Sequence, residues 1–267
     1  MPALDRKTIV IMGGTSGLGL SAARACALEG AKVVVVGRSE QKVESAIKAL
    51  GSQAAGLAGD AAEPATAPSA IELAVRLFGR LDGFYHVAGG SGRRFGDGPL
   101  DEISDEGWNK TLRLNLDSMF FSNRAAVRQL LKQGGGGSIV NCGSVLGYSP
   151  SPAYFATHAY AAAKAAAMGL TKSSAAYYAP RDIRFNLLAP GLVATPMSQR
   201  AQERPEILEF IRTKQPLSQG RIGVPEDLDA AVVWLLSDAS KFVTGQVIGI
   251  DGGWEVSEGQ LADSHEA

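Results

Sequence analysis

Between Thr8 and Ile250, short apolar runs of strand length alternate with segments whose apolar residues recur at helical spacing. That alternation limits the fold more than any other feature of the chain. Parallel strands need long crossover connections, so repeated strand–helix–strand order specifies a parallel sheet covered by helices on both faces. The clearest run, Val33–Val36, is wholly β-branched, as expected of a strand with no solvent face. Strands are expected at Thr8–Met12, Val33–Val36, Ala54–Ala58, Gly83–Ala88, Ser138–Cys142, Ile183–Leu188 and Gln246–Ile250. Helices are expected over Ser16–Glu29, from an N-cap at Ser39 to Leu50, up to Phe78, and over Ser104–Gln133, Ala159–Tyr178 and Pro225–Leu236. No linker or composition shift divides them. The expectation is one doubly wound α/β domain over residues 1–255 with seven parallel strands. Residues 256–267 follow as an acidic tail; beyond Trp254 come Glu255, Glu258, Asp263 and Glu266 but no lysine or arginine.

Composition excludes several classes. A hydrophobic fraction of 45% rules out disorder, and 26 basic against 27 acidic residues leave no bulk field for nucleic acid or an anionic membrane. The longest glycine-free apolar run, Ala230–Leu236, falls far short of the ~18 residues that span a bilayer. No secretory leader pattern opens the chain. A soluble, cytoplasmic protein is expected. Cys26 and Cys142 are too few for a disulfide framework and read as inert core thiols; no metal-ligating set is read.

Glycine is the outlier, at 32 of 267 residues. The first strand runs directly into Gly13-Gly14-Thr15-Ser16-Gly17-Leu18-Gly19 and then a helix. Glycines there permit a tight turn and bring backbone N–H groups against a pyrophosphate at the positive end of the helix. Placed after the first strand of an alternating chain, the run points to dinucleotide binding. The second strand ends in Gly37-Arg38-Ser39, with no acid at positions 33–39 to meet a free ribose 2′-OH. Arg38 instead offers a planar charged donor suited to a 2′-phosphate, so NADP(H) is expected over NAD(H), which stays possible. Asp60, after the weak third strand, either meets the adenine edge or caps a turn.

Tyr160 and Lys164 are spaced i, i+4 and share one helix face. An ammonium about 4 Å from a phenol favours the phenolate by about 4 kcal/mol at an effective dielectric of 20, which makes the pair a credible general acid/base for interconverting carbonyl and alcohol. Upstream, Ser144 closes the run Asn141-Cys142-Gly143-Ser144 at a strand's C-terminal edge, where open α/β sheets bind ligands.

The ordered set of glycine loop, Asn115, Ser144, Tyr160 and Lys164 resembles the short-chain dehydrogenase/reductase family, in its compact catalytic branch, over Thr8–Gly253. Pro190-Gly191 with Thr195, the run Arg221–Asp227, Thr244-Gly245-Gln246 and Asp251-Gly252-Gly253 extend the likeness. The resemblance implies a Rossmann-type fold and an oxidoreductase that moves a hydride between NADP(H) and a ketone, aldehyde or alcohol. It implies Tyr160 as acid/base, Lys164 favouring the phenolate and holding the nicotinamide ribose, Ser144 on the substrate carbonyl, and Asn115 holding a relay water. Ala88 and Gly89 would border the cofactor. Thr195 and the backbone near Val193 would hold the carboxamide. A homotetramer packed through the helices after Ser104 and Ala159 is also implied, and the partner is a small molecule.

There are departures. Met12 stands where the family has Thr, and His86-Val87-Ala88-Gly89 where it has Asn-Asn-Ala-Gly. These leave room for a catalytically silent NAD(P)-binding sensor or scaffold as the rival reading. Tyr148, Tyr154, Phe155 and His158 either line a substrate mouth or close their loop over the core. Arg93 and Arg94, after the fourth strand, are either a solvated loop tip or receptors for a substrate carboxylate or phosphate.

Overall fold

The computed structural model describes residues 1–259; Asp263 and Glu266 of the expected tail lie outside the described residues. Seven parallel strands form one sheet: β1 Thr8–Met12, β2 Lys32–Gly37, β3 Ala54–Ala58, β4 Gly83–His86, β5 Gly137–Cys142, β6 Ile183–Pro190 and β7 Val247–Ile250. Their order is β3-β2-β1-β4-β5-β6-β7, so the connection reverses direction between β1 and β4. Ligands bind such sheets outside the carboxyl ends of the strands at that reversal.

The helices are α1 Gly17–Leu28, α2 Glu40–Leu50, α3 Thr66–Phe78, α4 Asp105–Leu112, α5 Ser118–Gln133, α6 Pro152–Phe155, α7 His158–Tyr178, α8 Gln199–Gln202, α9 Pro205–Lys214 and α10 Asp229–Leu236. They fall on both faces of the sheet. Val34 and Val36 join Val10, Met12, Phe84, Ile139 and Phe185 in a core against α3 and α5. Val33 and Val35 join Ile9, Ile11, Tyr85 and Val140 against α1 and α10. Alternate valines of one run thus feed opposite cores, each burial stabilising by about 1.5–3 kcal/mol. No helix among the described residues is long and apolar enough to cross a membrane.

The differences from expectation have local causes. The strand expected over Gly83–Ala88 stops at His86, because the amides of Val87 and Ala88 both donate to Met12 O, at 3.0 and 2.8 Å, and leave the ladder. The single helix expected over Ser104–Gln133 is two helices joined by a π turn at Arg113–Asp117. The helix expected at Pro225 opens as a 3-10 turn, Pro225–Leu228. The segment from Pro196 to Lys214, where the sequence gives no expectation of helix, carries α8 and α9. Ile207 and Ile211 of α9 are fully buried against Trp254, in a third apolar cluster above the sheet's edge.

Candidate active site

The turn after β1 is built as the glycines require. Gly13 and Gly17 have φ of 95° and 49°, a region disfavoured for residues with a Cβ. A Cβ on Gly19 would lie 2.1 Å from Gly13 O, so no larger residue fits there. Ser16 at the N-cap of α1 makes no side-chain cap bond and the first turn holds no acid. Its backbone donors and the positive helix end are therefore left for an anion, a cradle that fits the pyrophosphate of a dinucleotide. Thr15 leans over the end of β2: a Cβ on Gly37 would lie 2.3 Å from Thr15 Oγ1. Leu18 packs into the core beneath. Beyond Gly37, Arg38 is exposed with no ion pair among the described residues. Ser39 Oγ accepts from Lys42 N at 3.4 Å and caps α2. Asp60 is a turn residue: Oδ1 accepts from Ala62 N at 2.9 Å, and its backbone oxygen accepts from Thr66 Oγ1 at 2.6 Å.

Across the reversal point stand the acid/base candidates. Tyr160 lies in the first turn of α7 and is half-buried; Lys164, one turn on, is 4% exposed. Lys164 Nζ is 5.4 Å from the Tyr160 ring centroid and donates to Cys142 O at 2.9 Å. No carboxylate lies within ion-pairing distance of it among the described residues. Ser144 Oγ accepts from Leu146 N at 3.2 Å, capping a 3-10 turn at Val145–Gly147. That turn lies against α7: a Cβ on Gly147 would sit 2.9 Å from Ala165 N and from the carbonyl carbon of Lys164. Asn115, in the π turn, is fully buried. Its amide donates to Gly90 O and Thr111 O, each at 3.0 Å, and its oxygen accepts from Gly90 N at 3.1 Å. The side chain thereby pins the loop after Ala88 and Gly89. A Cβ on Gly89 would lie 2.8 Å from Asn115 Oδ1 and 3.7 Å from Lys164 Nζ.

The third wall follows β6. Pro190 and Gly191 lead to Val193, which pairs with Gly223. A Cβ on Gly17 would lie 3.3 Å from Thr195 Cγ2, so Thr195 faces the glycine turn. Ser198 Oγ accepts from Thr195 N at 3.0 Å and donates to Val193 O at 2.6 Å.

Three supports complete the site; Asp97 and Gln215 carry no signal in the sequence, while His86 is among its departures. Asp97 is buried, and its two oxygens accept from Ala159 N and Tyr160 N, each at 3.0 Å. It caps the helix that carries Tyr160, whereas the adjacent Thr157 makes no cap bond. Gln215 pairs with both backbone groups of Leu192, accepting from its N–H and donating to its carbonyl. His86 is fully buried, with Nδ1 3.0 Å from Ser122 Oγ and Nε2 3.4 Å from Ser118 Oγ. Burial first, and then the Lys164 charge, lower its pKa to about 3, which keeps it neutral.

Tyr154 packs on Phe210 of the lid formed by α8 and α9, ring centroids 5.3 Å apart, and Phe155 packs on Trp254 after β7, 5.8 Å apart. Tyr148 joins the same cluster, and burial with the charges of Glu255 and Asp251 pushes its phenol up to about 12. His158 is exposed. Arg94 lies over the Phe95 ring at 4.5 Å, while Arg93 Nη2 donates to Tyr154 O at 3.1 Å. Both cysteines are free and buried, and burial followed by the Asp229 charge pushes Cys26 up to about 12. A groove of about 640 Å³ between α3 and α5 contains none of these groups.

A family model described as enoyl-(acyl carrier protein) reductase matches residues 13–255. Galactitol 2-dehydrogenase (L-tagatose-forming) of Cereibacter sphaeroides is 36% identical, with 95% of this chain and 96% of that protein covered. A 2,5-dichloro-2,5-cyclohexadiene-1,4-diol dehydrogenase of Sphingobium indicum is 34% identical, covering 95% and 99%. A short-chain type dehydrogenase/reductase of Mycobacterium ulcerans superposes with a TM-score of 0.88 at 30% identity, covering 96% of this chain and 92% of that one. The chain belongs to the short-chain dehydrogenase/reductase family, oxidoreductases that use nicotinamide dinucleotides on alcohol or carbonyl groups.

Proposed function

We propose that this protein is an NADP(H)-preferring oxidoreductase that interconverts a carbonyl compound and an alcohol, with Tyr160 as the general acid/base. The observation that carries the proposal is the buried Lys164 ammonium, 5.4 Å from the ring of a solvent-reaching Tyr160 and unmatched by any carboxylate among the described residues. In this reading Tyr160 gives up and regains a proton at its oxygen, with Lys164 one helical turn away on the same face. Ser144, on a turn packed against α7, would hydrogen-bond the substrate oxygen and orient it toward Tyr160. Asn115 would keep the loop at Ala88 and Gly89 in place and support proton return to Tyr160.

The residues fit the cofactor as a cradle. Backbone groups of Gly13, Thr15, Ser16, Gly17, Leu18 and Gly19 would meet the pyrophosphate. Arg38, with Ser39 beside it, would meet a 2′-phosphate, and Asp60 stands at the next strand end. Lys164 would hold the nicotinamide ribose, and Pro190, Gly191, Val193 and Thr195 the carboxamide side. When bound, the cofactor supplies or accepts the two electrons of the reaction.

The names of the relatives support alcohol–carbonyl chemistry, among them the 3-oxoacyl-[acyl-carrier-protein] reductase of Thermotoga maritima at 35% identity. Residues 1–255 would act as one domain in the cytoplasm, as a homotetramer joined through α5 and α7; sedimentation equilibrium tests the tetramer. Tyr160→Phe keeps the ring and loses the proton-carrying oxygen. Turnover of a panel of ketones and aldehydes should vanish while NADPH still binds. Retention of more than a few per cent of activity would overturn the assignment.

A further inference from the structure

We propose that Arg93 and Arg200 together receive an anionic group, a carboxylate or an oxyanion like it, on the substrate of this site. The proposal rests on the oxidoreductase reading and names its substrate class. Arg93 Nη2 and Arg200 Nη2 donate to one atom, Tyr154 O, at 3.1 and 2.9 Å. The two nitrogens therefore stand no further apart than the sum of those bonds. Arg93 follows β4, and Arg200 sits on α8 of the lid, so two walls of the crevice send a cation to the segment between Ser144 and Tyr160.

Both arginines are exposed, and they fill the two lone pairs of a single carbonyl; two like charges held side by side favour an anion between them. Neither guanidinium has an ion-pair partner among the described residues. Asp97 is spent on the amides of Ala159 and Tyr160. Burial, and after it the Arg200 charge, lower the pKa of Arg93, with Asp97 opposing. Each guanidinium carries five N–H donors in a planar fork, and here one of each is engaged. The unused forks match a carboxylate, and the adjacent Tyr154 and Phe210 rings supply an apolar flank. Arg94 takes no part, since it stacks on Phe95.

The test uses the full chain as Tyr160→Phe, loaded with NADPH so that ligands bind without turnover. Calorimetry measures the affinity of a series of oxo acids (3-oxobutanoate, 4-oxopentanoate and 5-oxohexanoate) and of the methyl ester of each. At one chain length or more the acid should bind at least about tenfold more tightly than its ester. Arg93→Gln and Arg200→Gln should each remove most of that ratio, and Arg94→Gln should keep it. If every acid binds no better than its ester, or the ratio survives both substitutions, the proposal is wrong. A ratio left intact while both affinities fall equally would make the arginines a latch for the lid, which also overturns it. The oxidoreductase reading fails separately, on the absence of NADPH binding or of Tyr160-dependent turnover of neutral ketones.

Discussion

Single side chains at the strand ends bear on the proposed cofactor preference and on the response to acid. Arg38 is exposed and unpaired among the described residues, so its charge is available to a ligand. Arg38→Ala should weaken NADPH binding by about 1.5–3 kcal/mol, the range for a charged hydrogen bond, and leave NADH nearly unchanged. Titration of both reduced cofactors by fluorescence separates the cases, and equal losses would overturn the proposed NADP(H) preference. His86 sets an acid limit. It is neutral in the fold, with a pKa of about 3, against 6.5 in the unfolded chain. Below pH 6.5 the unfolded chain therefore binds the extra proton. Its contribution to stability is complete above pH 6.5 and is lost as pH falls toward 3, by about 1.4 kcal/mol per unit. His86→Asn places there the amide that the family usually carries. Urea unfolding at pH 7 and pH 4.5 should show a markedly smaller acid loss for the variant than for the native chain.

At the scale of the element, the helix that carries Tyr160 begins on a borrowed cap. Thr157 occupies the N-cap position of α7, yet its hydroxyl donates to Phe155 O at 3.3 Å. The work falls to Asp97, whose carboxylate takes the two amides that open the helix, one of them the amide of Tyr160 itself. Asp97→Ala leaves those buried donors without a partner, at about 1–3 kcal/mol each. It should also displace Tyr160 enough to lower kcat about tenfold or more. Asp97→Asn keeps one acceptor and should recover part of both losses. Thermal unfolding and steady-state kinetics on the two variants check this. A fall in melting temperature with kcat unaltered would make Asp97 purely structural.

Over the whole molecule, three distant stretches meet at Trp254. The indole is 1% exposed, packs edge-on to Phe155 and Phe210 at 5.8 and 5.9 Å, and donates to Ser149 O at 3.3 Å. It ties the chain after β7 to the loop that follows Ser144 and to the lid. Lys214 and Ser257 reinforce the junction, with Lys214 Nζ donating to Ser257 O and Ser257 Oγ to Thr213 O. Trp254→Ala should cost about 3–5 kcal/mol of stability and release the lid first. Limited proteolysis should then cut between residues 196 and 220 before any strand is cleaved. A uniform digestion pattern would show that the lid does not depend on this anchor.

What the chain announces by itself is local. Val33–Val36 reads as a buried strand because a parallel strand covered on both faces needs unbroken β-branched residues. The Gly13–Gly19 turn reads as an anion cradle because only glycine tolerates those backbone angles and that close approach. Tyr160 and Lys164 read as a pair because one helical turn brings them to one face. Other features depend on which segments the sheet order brings together. Asp97 and the helix it caps are joined across more than sixty residues, Gln215 braces Leu192 from the far side of the lid, and Arg93 meets Arg200 at a carbonyl that belongs to neither of their segments. Helices α8 and α9 are short, and they gain their hold only when Ala201, Ile207 and Ile211 bury with Trp254. His86 is neutral for the same reason: burial under Ser118, Ser122 and Lys164 is a property of the packed molecule, and no run of neighbouring residues encodes it.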